Sequence, residues 1–235
     1  MKDKDTDSGI LYIGATPIGN VDDASKRLIS TFQEVDLICA EDTRRTKQLL
    51  SRLEIKTEAE IISLYDHNEA EKADFVIEKL LSGYNVLQVS DAGMPVVSDP
   101  GYKLIGKAIL AGIQVTCLPG PSAVLTALAL SNLPSHRFCF EGFLPNKSGT
   151  KLNYLAKLKE EDRTMIFFES PYRIQKTISA MREVFGDSRK AAICRELTKT
   201  YEEVIRGSLL ELVDILNTRT LKGEIVVVVE GASLK

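Results

Sequence analysis

The chain has 235 residues, of which 44% are hydrophobic and 27% are charged, and its formal net charge is −3. This composition is that of a globular protein that can bury a core without disulfides or metals. No run approaches the roughly 18 to 20 apolar residues of a membrane span, so no membrane partner is expected. The mild acidity counts against a non-specific nucleic-acid binder, although a local basic rim would be compatible with it.

The four cysteines are scattered singly, and each lies within an apolar run. Because the sequence has no CxxC pair and no Cys/His ligand spacing, it predicts neither a disulfide nor a structural metal. Each cysteine is expected to be a small buried side chain in a reducing cytoplasm. The first nine residues are polar, and we expect a disordered tail there, not a signal peptide.

Short β-branched apolar runs alternate with helical patterns along the whole chain. The first half predicts strands at residues 10–15, 36–40, 61–64, 85–89 and 114–118, and helices at residues 24–34, 43–53, 69–81 and 102–111. The second half predicts strands at residues 164–168, 190–195, 201–206 and 224–229, and helices at residues 123–130, 151–159, 173–185 and 209–216. This alternation is typical of an α/β fold with mostly parallel sheets. The turn PGPS at residues 119–122 indicates two α/β domains, 10–119 and 120–235.

Glycines, prolines and charged residues follow nearly every predicted strand. These segments are TPIGN (16–20), EDTRR (41–45), YDHNE (65–69), SDAGMP (90–95), PGPS (119–122), ESPYR (169–173) and RELTK (195–199). Parallel α/β sheets bind ligands at the carboxyl ends of their strands. Any one segment is better explained as an ordinary turn, but their accumulation on one predicted edge favours a functional site.

Several common catalytic motifs are missing from the sequence. It has no G-x-G-x-x-G opening the first helix and no G-x-x-x-x-G-K-[ST], so a dinucleotide fingerprint and a P-loop are both excluded. It also lacks the G-x-S-x-G nucleophile elbow. A redox enzyme or a covalent-nucleophile enzyme therefore finds little support.

The segments form an ordered series that resembles a known family. The first half carries LYIGATPIGN, AEDTRRT, YDHNE, SDAGMPVVSDPGY and LPGPSAVLTAL, and the second carries FCFEGFLP, FFESPYR, RELTKTYEE and GEIVVVVEG. From about residue 10 to residue 231 they closely resemble the ribosomal RNA small-subunit methyltransferase I family, within the tetrapyrrole (corrin/porphyrin) methylase superfamily. A single segment would be weak support, but nine in order make the resemblance specific.

The resemblance implies two αβα domains with mixed, mostly parallel sheets, S-adenosylmethionine in a cleft between them, and a homodimer. It also implies methylation of the 2′-hydroxyl of a cytidine in the decoding region of 16S ribosomal RNA, with that RNA or the 30S subunit as partner. The residues expected to line the cofactor are Pro17, Ile18, Gly19, Asp91, Ala92, Gly93, Met94, Ser122, Ala123, Phe168 and Gly223. The small residues at 91–93 would let backbone amides approach a ligand closely.

The methyl group of S-adenosylmethionine is already activated, so no metal is expected. A ribose hydroxyl is a poor nucleophile, and a general base would contribute about 10²-fold. The candidate catalytic bases are Asp42, His67 and Glu169, with Glu69 as a further carboxylate. Imidazole is well suited to take a proton near neutral pH, yet His67 is equally well explained as a turn residue. Asp42 is also a natural cap for the helix that follows it.

The residues expected to contact the substrate are Glu41, Arg44, Asn68, Arg173 and Lys199. Glu41 could accept hydrogen bonds from ribose or cofactor, and Arg44 could contact phosphate. Asn68 is better explained as an N-cap, and charged stretches are usually solvated helix faces. Further candidates are Lys147, Lys151 and Arg195 for phosphate, and Phe140 and Phe143 for stacking on an extruded base.

Two other functions fit parts of the sequence. A methyltransferase acting on a tetrapyrrole or another small molecule would share the cofactor site but would need no basic rim. A non-catalytic ribosome-assembly protein would bind RNA without the methyl donor. The EDTRRT and ELTK clusters favour RNA over a small molecule, and the intact PIGN, SDAG and PGPS segments favour catalysis.

Overall fold

The structure is a computed structural model that describes residues 8–65 and 67–232. The chain divides into two compact units, one ending at Ser122 and the other beginning at Ala123. The sequence places this junction slightly earlier, after residue 119. Each unit contains one five-stranded sheet. Among the described residues, no helix is both long enough and apolar enough to cross a membrane.

The first unit is an αβα layer structure. Its strands are β1 (Ile10–Gly14), β2 (Leu37–Ala40), β3 (Glu60–Ser63), β4 (Val86–Val89) and β5 (Gln114–Leu118). Its helices are α1 (Lys26–Glu34), α2 (Thr43–Arg52), α3 (Glu69–Leu81) and α4 (Tyr102–Leu110), with a 3₁₀ turn at Val21–Asp23. The strand order is β3-β2-β4-β1-β5, and every pairing in this sheet is parallel.

Helices cover both faces of the first sheet. Phe32 of α1 and Leu50 of α2 pack against Leu87 of β4 on one face. On the other face, Leu80 of α3 and Leu104 of α4 pack in a second cluster. Strands β2 and β4 are buried along their whole length because both of their faces are covered. The loops that follow the parallel strands therefore emerge at one edge of the sheet.

The second unit surrounds a mixed sheet. Its strands are β6 (Phe138–Phe143), β7 (Thr164–Glu169), β8 (Lys190–Arg195), β9 (Glu203–Ser208) and β10 (Ile225–Val229). Its helices are α5 (Ala123–Ser131), α6 (Ser148–Lys157), α7 (Ile174–Phe185) and α8 (Leu209–Thr218). The order is β6-β7-β10-β8-β9, with β6 parallel to β7 and the other pairings antiparallel. The predicted α/β fold with mixed, mostly parallel sheets is confirmed, and parallel pairing dominates the first sheet.

The core of the second unit is built on β10, a continuous run of five apolar residues. Val227 packs with Phe167 of β7 and with side chains from α6, α7 and α8 on one face of the sheet. Helix α5 covers the opposite face, where the thiol of Cys194 donates to the carbonyl oxygen of Ala127 at 3.8 Å. All five residues of β10 are buried, as expected for a strand covered on both sides.

Strand β6 is the element that the sequence does not predict. Its pairing with β7 shifts register between Phe140 and Gly142, so Glu141 forms a β-bulge. A bulge inserts one extra residue and breaks the two-residue alternation of side chains. The sequence pattern that identifies strands is therefore absent from FCFEGF, although all its residues except Glu141 pair with β7.

Two further expectations are wrong in part. Residues 1–7 of the predicted tail lie outside the described residues, but Gly9 is buried and its N–H donates to the carbonyl oxygen of Leu80 at 2.8 Å. Gly9 is therefore not part of a disordered tail. Cys39 and Cys194 are buried as expected, whereas Cys117 is exposed. Cys117 lies in β5, an edge strand whose side chains are less covered than those of β2 and β4.

Gly101, which precedes α4, lies in a tightly packed part of the first unit. Its φ is +131°, and a Cβ there would lie 2.0 Å from Nε2 of the buried Gln88, which donates to the Pro100 carbonyl oxygen at 2.7 Å. We expect Gly101→Ala to lower the free energy of unfolding by roughly 1–3 kcal/mol, measured by urea denaturation. Gly106→Ala in α4 is the control. A Cβ at Gly106 meets nothing within 4 Å, so this change should stabilise the protein by about 0.5–1 kcal/mol. Equal effects from the two changes would contradict this packing argument.

Candidate functional site

The loops after β1 and β4 are joined at the carboxyl edge of the first sheet. The N–H of Thr16 donates to the Gly93 carbonyl oxygen at 2.9 Å, and the N–H of Gly93 donates back to Thr16 at 3.1 Å. The Thr16 hydroxyl also donates to the carbonyl oxygen of Ser90 at 3.2 Å. Thr16 and Ser90 are almost fully buried, so these contacts lie beneath the loops. The predicted convergence of the TPIGN and SDAG segments is confirmed.

Glycine allows the loops after β1, β4 and β5 to approach one another. Gly93 has a φ of +87°, and a Cβ on it would lie 3.3 Å from Cγ2 of Ile18 and 3.8 Å from the Pro121 carbonyl oxygen. A Cβ on Gly120 would lie 3.0 Å from that of Ala15. Glycine at these two positions therefore brings backbone groups close to one another, as a ligand-binding loop requires.

The loop after β2 is hydrogen-bonded to the same cluster. The N–H of Asp42 donates to Oδ1 of Asp91 at 3.0 Å, and the N–H of Asp91 donates to Oε2 of Glu41 at 3.3 Å. Nη1 of Arg45 lies 3.4 Å from Oδ2 of Asp91. Burial raises the pKa of Asp91 above its usual value, although Arg45 opposes this change. Glu41 and Asp91 thus connect the loop after β2 to the loop after β4, which the Thr16–Gly93 contact joins to the loop after β1. The sequence did not single out Arg45 as part of the cluster.

Asp42 caps helix α2 and pairs with Arg44. Its Oδ1 accepts hydrogen bonds from the backbone N–H of Arg44 at 2.9 Å and from Nε of Arg44 at 3.1 Å. The guanidinium of Arg44 lowers the pKa of Asp42 to about 2. A carboxylate that holds its proton so weakly is a poor general base, which disfavours the catalytic role and favours the cap. The Arg44 side chain is 85% exposed and remains accessible to a phosphate group.

The turn after β3 contains both structural and accessible side chains. His67 is exposed in this turn. Oδ1 of Asn68 accepts from the N–H of Tyr65 at 2.8 Å, and its Nδ2 donates to the Ser63 carbonyl oxygen at 3.3 Å. Asn68 stands at the N-cap position of α3, but its side chain makes no capping bond to the helix. The expected side-chain cap is therefore wrong, and the Asn68 amide stabilises the turn instead.

Glu69 is used inside the first unit. One carboxylate oxygen accepts hydrogen bonds from the backbone N–H groups of Gly101, Lys103 and Leu104 at 3.1, 2.8 and 3.1 Å. Glu69 is 3% exposed, and its charge lies at the positive end of the α4 dipole. A buried carboxylate that already accepts hydrogen bonds from a helix N-terminus is unsuited to removing a proton from a substrate. The candidate role of Glu69 as a base is therefore disfavoured.

The remaining predicted cofactor residues of the first unit lie around the Thr16–Gly93 contact. Pro17 and Ile18 are buried, Gly19, Met94 and Ser122 are half-buried, and Ala92 is exposed. Directly after Met94, Val96 and Ser98 adopt positive φ values of 77° and 65°. A β-branched residue rarely adopts this conformation, and such strain concentrates in binding loops. Val96 and Ser98 were not identified from the sequence, which carries no sign of strain at these positions.

In the second unit, three phenylalanines form an aromatic cluster at the carboxyl ends of β6 and β7. The ring of Phe168 lies 4.8 Å from that of Phe140 and 5.6 Å from that of Phe143, both edge to face. The bulge at Glu141 allows Phe140 and Phe143, three residues apart, to contact the same ring. Phe143 is 58% exposed and is the accessible member of the cluster. Ala123 was also predicted to line the cofactor. It is the first residue of α5 and is half-buried.

Glu169 is the centre of a buried polar network. Its Oε1 accepts from the N–H of Ser170 at 2.7 Å and lies 3.1 Å from Nε of Arg173. The hydroxyl of Thr177 donates to its Oε2, and Nζ of Lys151 donates to the Thr177 hydroxyl oxygen at 2.8 Å. The Glu169 side chain is 1% exposed. The prediction that Glu169 is a general base is disfavoured, because both oxygens are held by internal partners.

The same network engages two predicted phosphate contacts. Arg173 donates to Asn146 Oδ1 and, at 2.6 Å, to the Leu144 carbonyl oxygen. Lys151 is 5% exposed, although the sequence suggested an accessible side chain. Desolvation lowers the pKa of Lys151, and Glu169 opposes this change. The helix begins at Ser148, earlier than predicted, so Lys151 lies in the first turns of α6 with its ammonium against α7.

Lys199 is neutralised by two carboxylates, one in its own loop and one in the segment before β10. Its Nζ lies 3.0 Å from Oε1 of Glu196 and 3.0 Å from Oε2 of Glu224. Burial alone would lower the pKa of Lys199, but the two carboxylates together raise it. Gly223 has a φ of +89°, and a Cβ there would lie 2.4 Å from Oε1 of Glu196. Lys199 is therefore disfavoured as a free phosphate contact, and the close approach of Glu196 requires glycine at 223.

Most of the chain matches a known protein family. The family described as Tetrapyrrole (Corrin/Porphyrin) Methylases matches residues 10–213. The chain belongs to the tetrapyrrole methylase family. The resemblance identified from the ordered loop segments is thus confirmed.

Curated relatives of this methylase agree with the family assignment. It is 50% identical over 226 residues to "Ribosomal RNA small subunit methyltransferase I" of Mycobacterium bovis, which covers 96% of this chain and 79% of the relative. A protein of the same name from Haemophilus influenzae is 48% identical over 226 residues, covering 95% and 79%. The relative from Halalkalibacterium halodurans is 46% identical over 225 residues, covering 96% and 77%.

Solved structures support the fold of this family member. Diphthine synthase superposes with a TM-score of 0.74 at 17% identity and covers 97% of this chain and 92% of its own. The methyltransferase CobJ superposes with a TM-score of 0.71 at 20% identity, covering 97% and 96%. Because these identities are low, the likeness concerns the fold alone.

Thr177 tests the buried network of this methylase. Thr177→Val keeps the shape of the side chain but removes the acceptor for Nζ of Lys151 and leaves Oε2 of Glu169 with only the longer hydrogen bond from Nη2 of Arg173, at 3.4 Å. We expect the free energy of unfolding in urea to fall by about 2 kcal/mol, because unpaired buried polar groups are costly. Ser179→Ala is the matched control on α7. The exposed Ser179 hydroxyl donates to the carbonyl oxygen of Gln175 within its own helix, so its loss should cost less than about 0.5 kcal/mol. A Thr177 effect no larger than the Ser179 effect would refute this account of the network.

Proposed function

We propose that this chain is an S-adenosylmethionine-dependent methyltransferase that methylates the 2′-hydroxyl of a cytidine in the decoding region of 16S ribosomal RNA. The observation that carries the proposal is the convergence of the TPIGN, EDT and SDAG loops around the Thr16–Gly93 contact, in a chain of a methylase family. The name of relatives that are 46% to 50% identical supports ribosomal RNA as the acceptor. The homodimer and the cytoplasmic location stay predictions.

The residues around Gly93 fit S-adenosylmethionine in charge. The missing Cβ at Gly93 allows the loop after β4 to lie beside the apolar side chain of Ile18. The carboxylate of Asp91, one residue beyond Ser90, would attract the positive charges of this cofactor. The sulfonium supplies an activated methyl group. The protein must then orient the hydroxyl oxygen and exclude water, and it needs no metal for this reaction.

His67 is the general base in this proposal. Asp42 and Glu169 are held in ion pairs with Arg44 and Arg173, so neither offers a free carboxylate. His67 is exposed in the loop that follows β3, at the same edge of the sheet as the loops after β1, β2 and β4. Imidazole is suited to accept the hydroxyl proton near neutral pH. Arg44 provides an exposed guanidinium for a neighbouring phosphate of the RNA.

Methyl transfer is the direct test of the proposal. The full chain is incubated with S-adenosylmethionine labelled on its methyl group and with 30S subunits lacking the modification, free 16S RNA, or a tetrapyrrole in parallel. We expect label on RNA, at a 2′-oxygen of one cytidine, mapped by nuclease digestion and mass spectrometry. Label on the tetrapyrrole alone would overturn the RNA acceptor. Binding of the RNA with no transfer and no calorimetric binding of S-adenosylmethionine would favour a non-catalytic assembly protein.

Two variants separate the proposed cofactor residues from the proposed RNA residues. Asp91→Asn keeps an acceptor for the N–H of Asp42 but removes the negative charge. We expect about tenfold weaker binding of S-adenosylmethionine by calorimetry, with RNA affinity unchanged. Arg44→Ala should weaken RNA binding several-fold, with a smaller salt dependence, and leave cofactor affinity unchanged. Equal losses of cofactor affinity in both variants would show that the two sites are misassigned.

A further inference from the structure

A groove in the second unit is not used by the proposed methyl-transfer site. It lies between α6 and α7 and has a volume of about 610 Å³. Its lining includes three cations and one carboxylate, which are Lys151, Arg173, Lys176 and Glu183, together with Asn146 and Tyr172. The groove therefore offers a positively charged surface on a protein whose overall charge is negative.

Two of the three cations are anchored beneath the groove. Arg173 is bound to Glu169, Asn146 and the Leu144 carbonyl oxygen, and Lys151 donates to Thr177. Nε of Arg173 lies close to Glu169 but is not aligned to donate a hydrogen bond to it. These groups give the groove a fixed positive charge. Lys176, by contrast, is exposed on α7.

An aromatic ring stands beside the cations. Tyr172 is 94% exposed at the start of α7 and is part of the same lining. Proteins bind single-stranded nucleic acid by combining cations for the backbone with aromatic side chains on which bases stack. A free phosphate ion would use the cations but would leave the ring without a role. The presence of both Lys176 and Tyr172 in the lining thus favours a nucleotide chain as the ligand of the groove.

We propose that this groove binds a single-stranded segment of the substrate RNA, with Lys176 contacting a phosphate group and Tyr172 stacking on an adjacent base. The proposal rests on the proposed function, because it takes RNA as the substrate. Arg173 and Lys151 act as positioning residues that hold positive charge beneath the phosphate. Glu183 repels phosphate and limits the contact to the end of the groove near Lys176.

The electrostatics of Lys151 agree with an anionic ligand. Desolvation is the main cause that lowers its pKa, and the nearby charges of Arg173 and Lys176 add to this effect. Only Glu169 among the causes raises it. A phosphate group in the groove would offset the repulsion among the three cations and so would be favoured there.

The test uses the full chain and a fluorescein-labelled single-stranded RNA with the sequence around the modified cytidine. Dissociation constants are measured by anisotropy between 50 and 300 mM KCl for the wild type, Lys176→Ala and Tyr172→Ala. Lys176→Ala should weaken binding about fivefold and reduce the salt slope by about 0.7, the value for one phosphate of a single strand. Tyr172→Ala should weaken binding about tenfold with little change in the salt slope.

Lys157→Ala is the matched control, because Lys157 is an exposed lysine in the last turn of the same α6 helix. It should bind RNA as the wild type does. If Lys176→Ala is no weaker than Lys157→Ala, or if Tyr172→Ala binds normally, the groove is not an RNA site. Methyl transfer by the wild type separates the two proposals. If the wild type methylates RNA but the Lys176 and Tyr172 variants bind RNA normally, only the proposal for the groove is overturned. If these variants bind RNA more weakly but the wild type transfers no methyl group, the groove is supported and the proposed methyltransferase function is overturned.

Discussion

The pair of hydrogen bonds between Thr16 and Gly93 is the contact on which the candidate site depends. Parallel strands place their carboxyl ends at one edge of the sheet, but they do not by themselves join the loops that follow. The Thr16–Gly93 contact joins the loops after β1 and β4, and Asp91 extends the connection to the loop after β2. Because a side chain at Gly93 would press on Ile18, the whole arrangement requires glycine at that position.

The two units use their charged residues differently. In the first unit, Arg44 is paired at the surface and remains accessible, so its charge is available to a ligand. In the second unit, Glu169 is held by Arg173 and Thr177, and Lys199 is held by Glu196 and by the more distant Glu224. Glu169 is buried, and a buried charge is tolerated only when it is paired. Lys199 is half-buried and paired with two carboxylates. Their residue types suggested chemistry, but their pairing favours a structural role.

Much of the fold could be predicted from the sequence. The bounds of β5, β8 and α3 agree with the prediction, because their apolar runs and terminal residues are unambiguous. Strand β6 was missed because its bulge breaks the alternation that identifies strands. For the candidate site, the convergence of the TPIGN and SDAG loops could be predicted, but the strain at Val96 and the buried Lys151–Thr177 contact could not. Positive φ at a valine and a bond between distant side chains have no local sequence signal.

The sequence by itself determined the α/β fold class, the family and the segments that form the candidate site, because apolar periodicity and ordered motifs are local properties. Only the tertiary structure decided which polar side chains are free. Three of the candidate bases are carboxylates next to a strand or helix end, namely Asp42, Glu69 and Glu169. The sequence alone does not distinguish between them. In the structure, Asp42 pairs with Arg44, whereas Glu69 accepts hydrogen bonds at the start of α4. Glu169 belongs to a buried network with Thr177. Pairing and burial depend on contacts between residues far apart in the chain, and these form only when the chain folds.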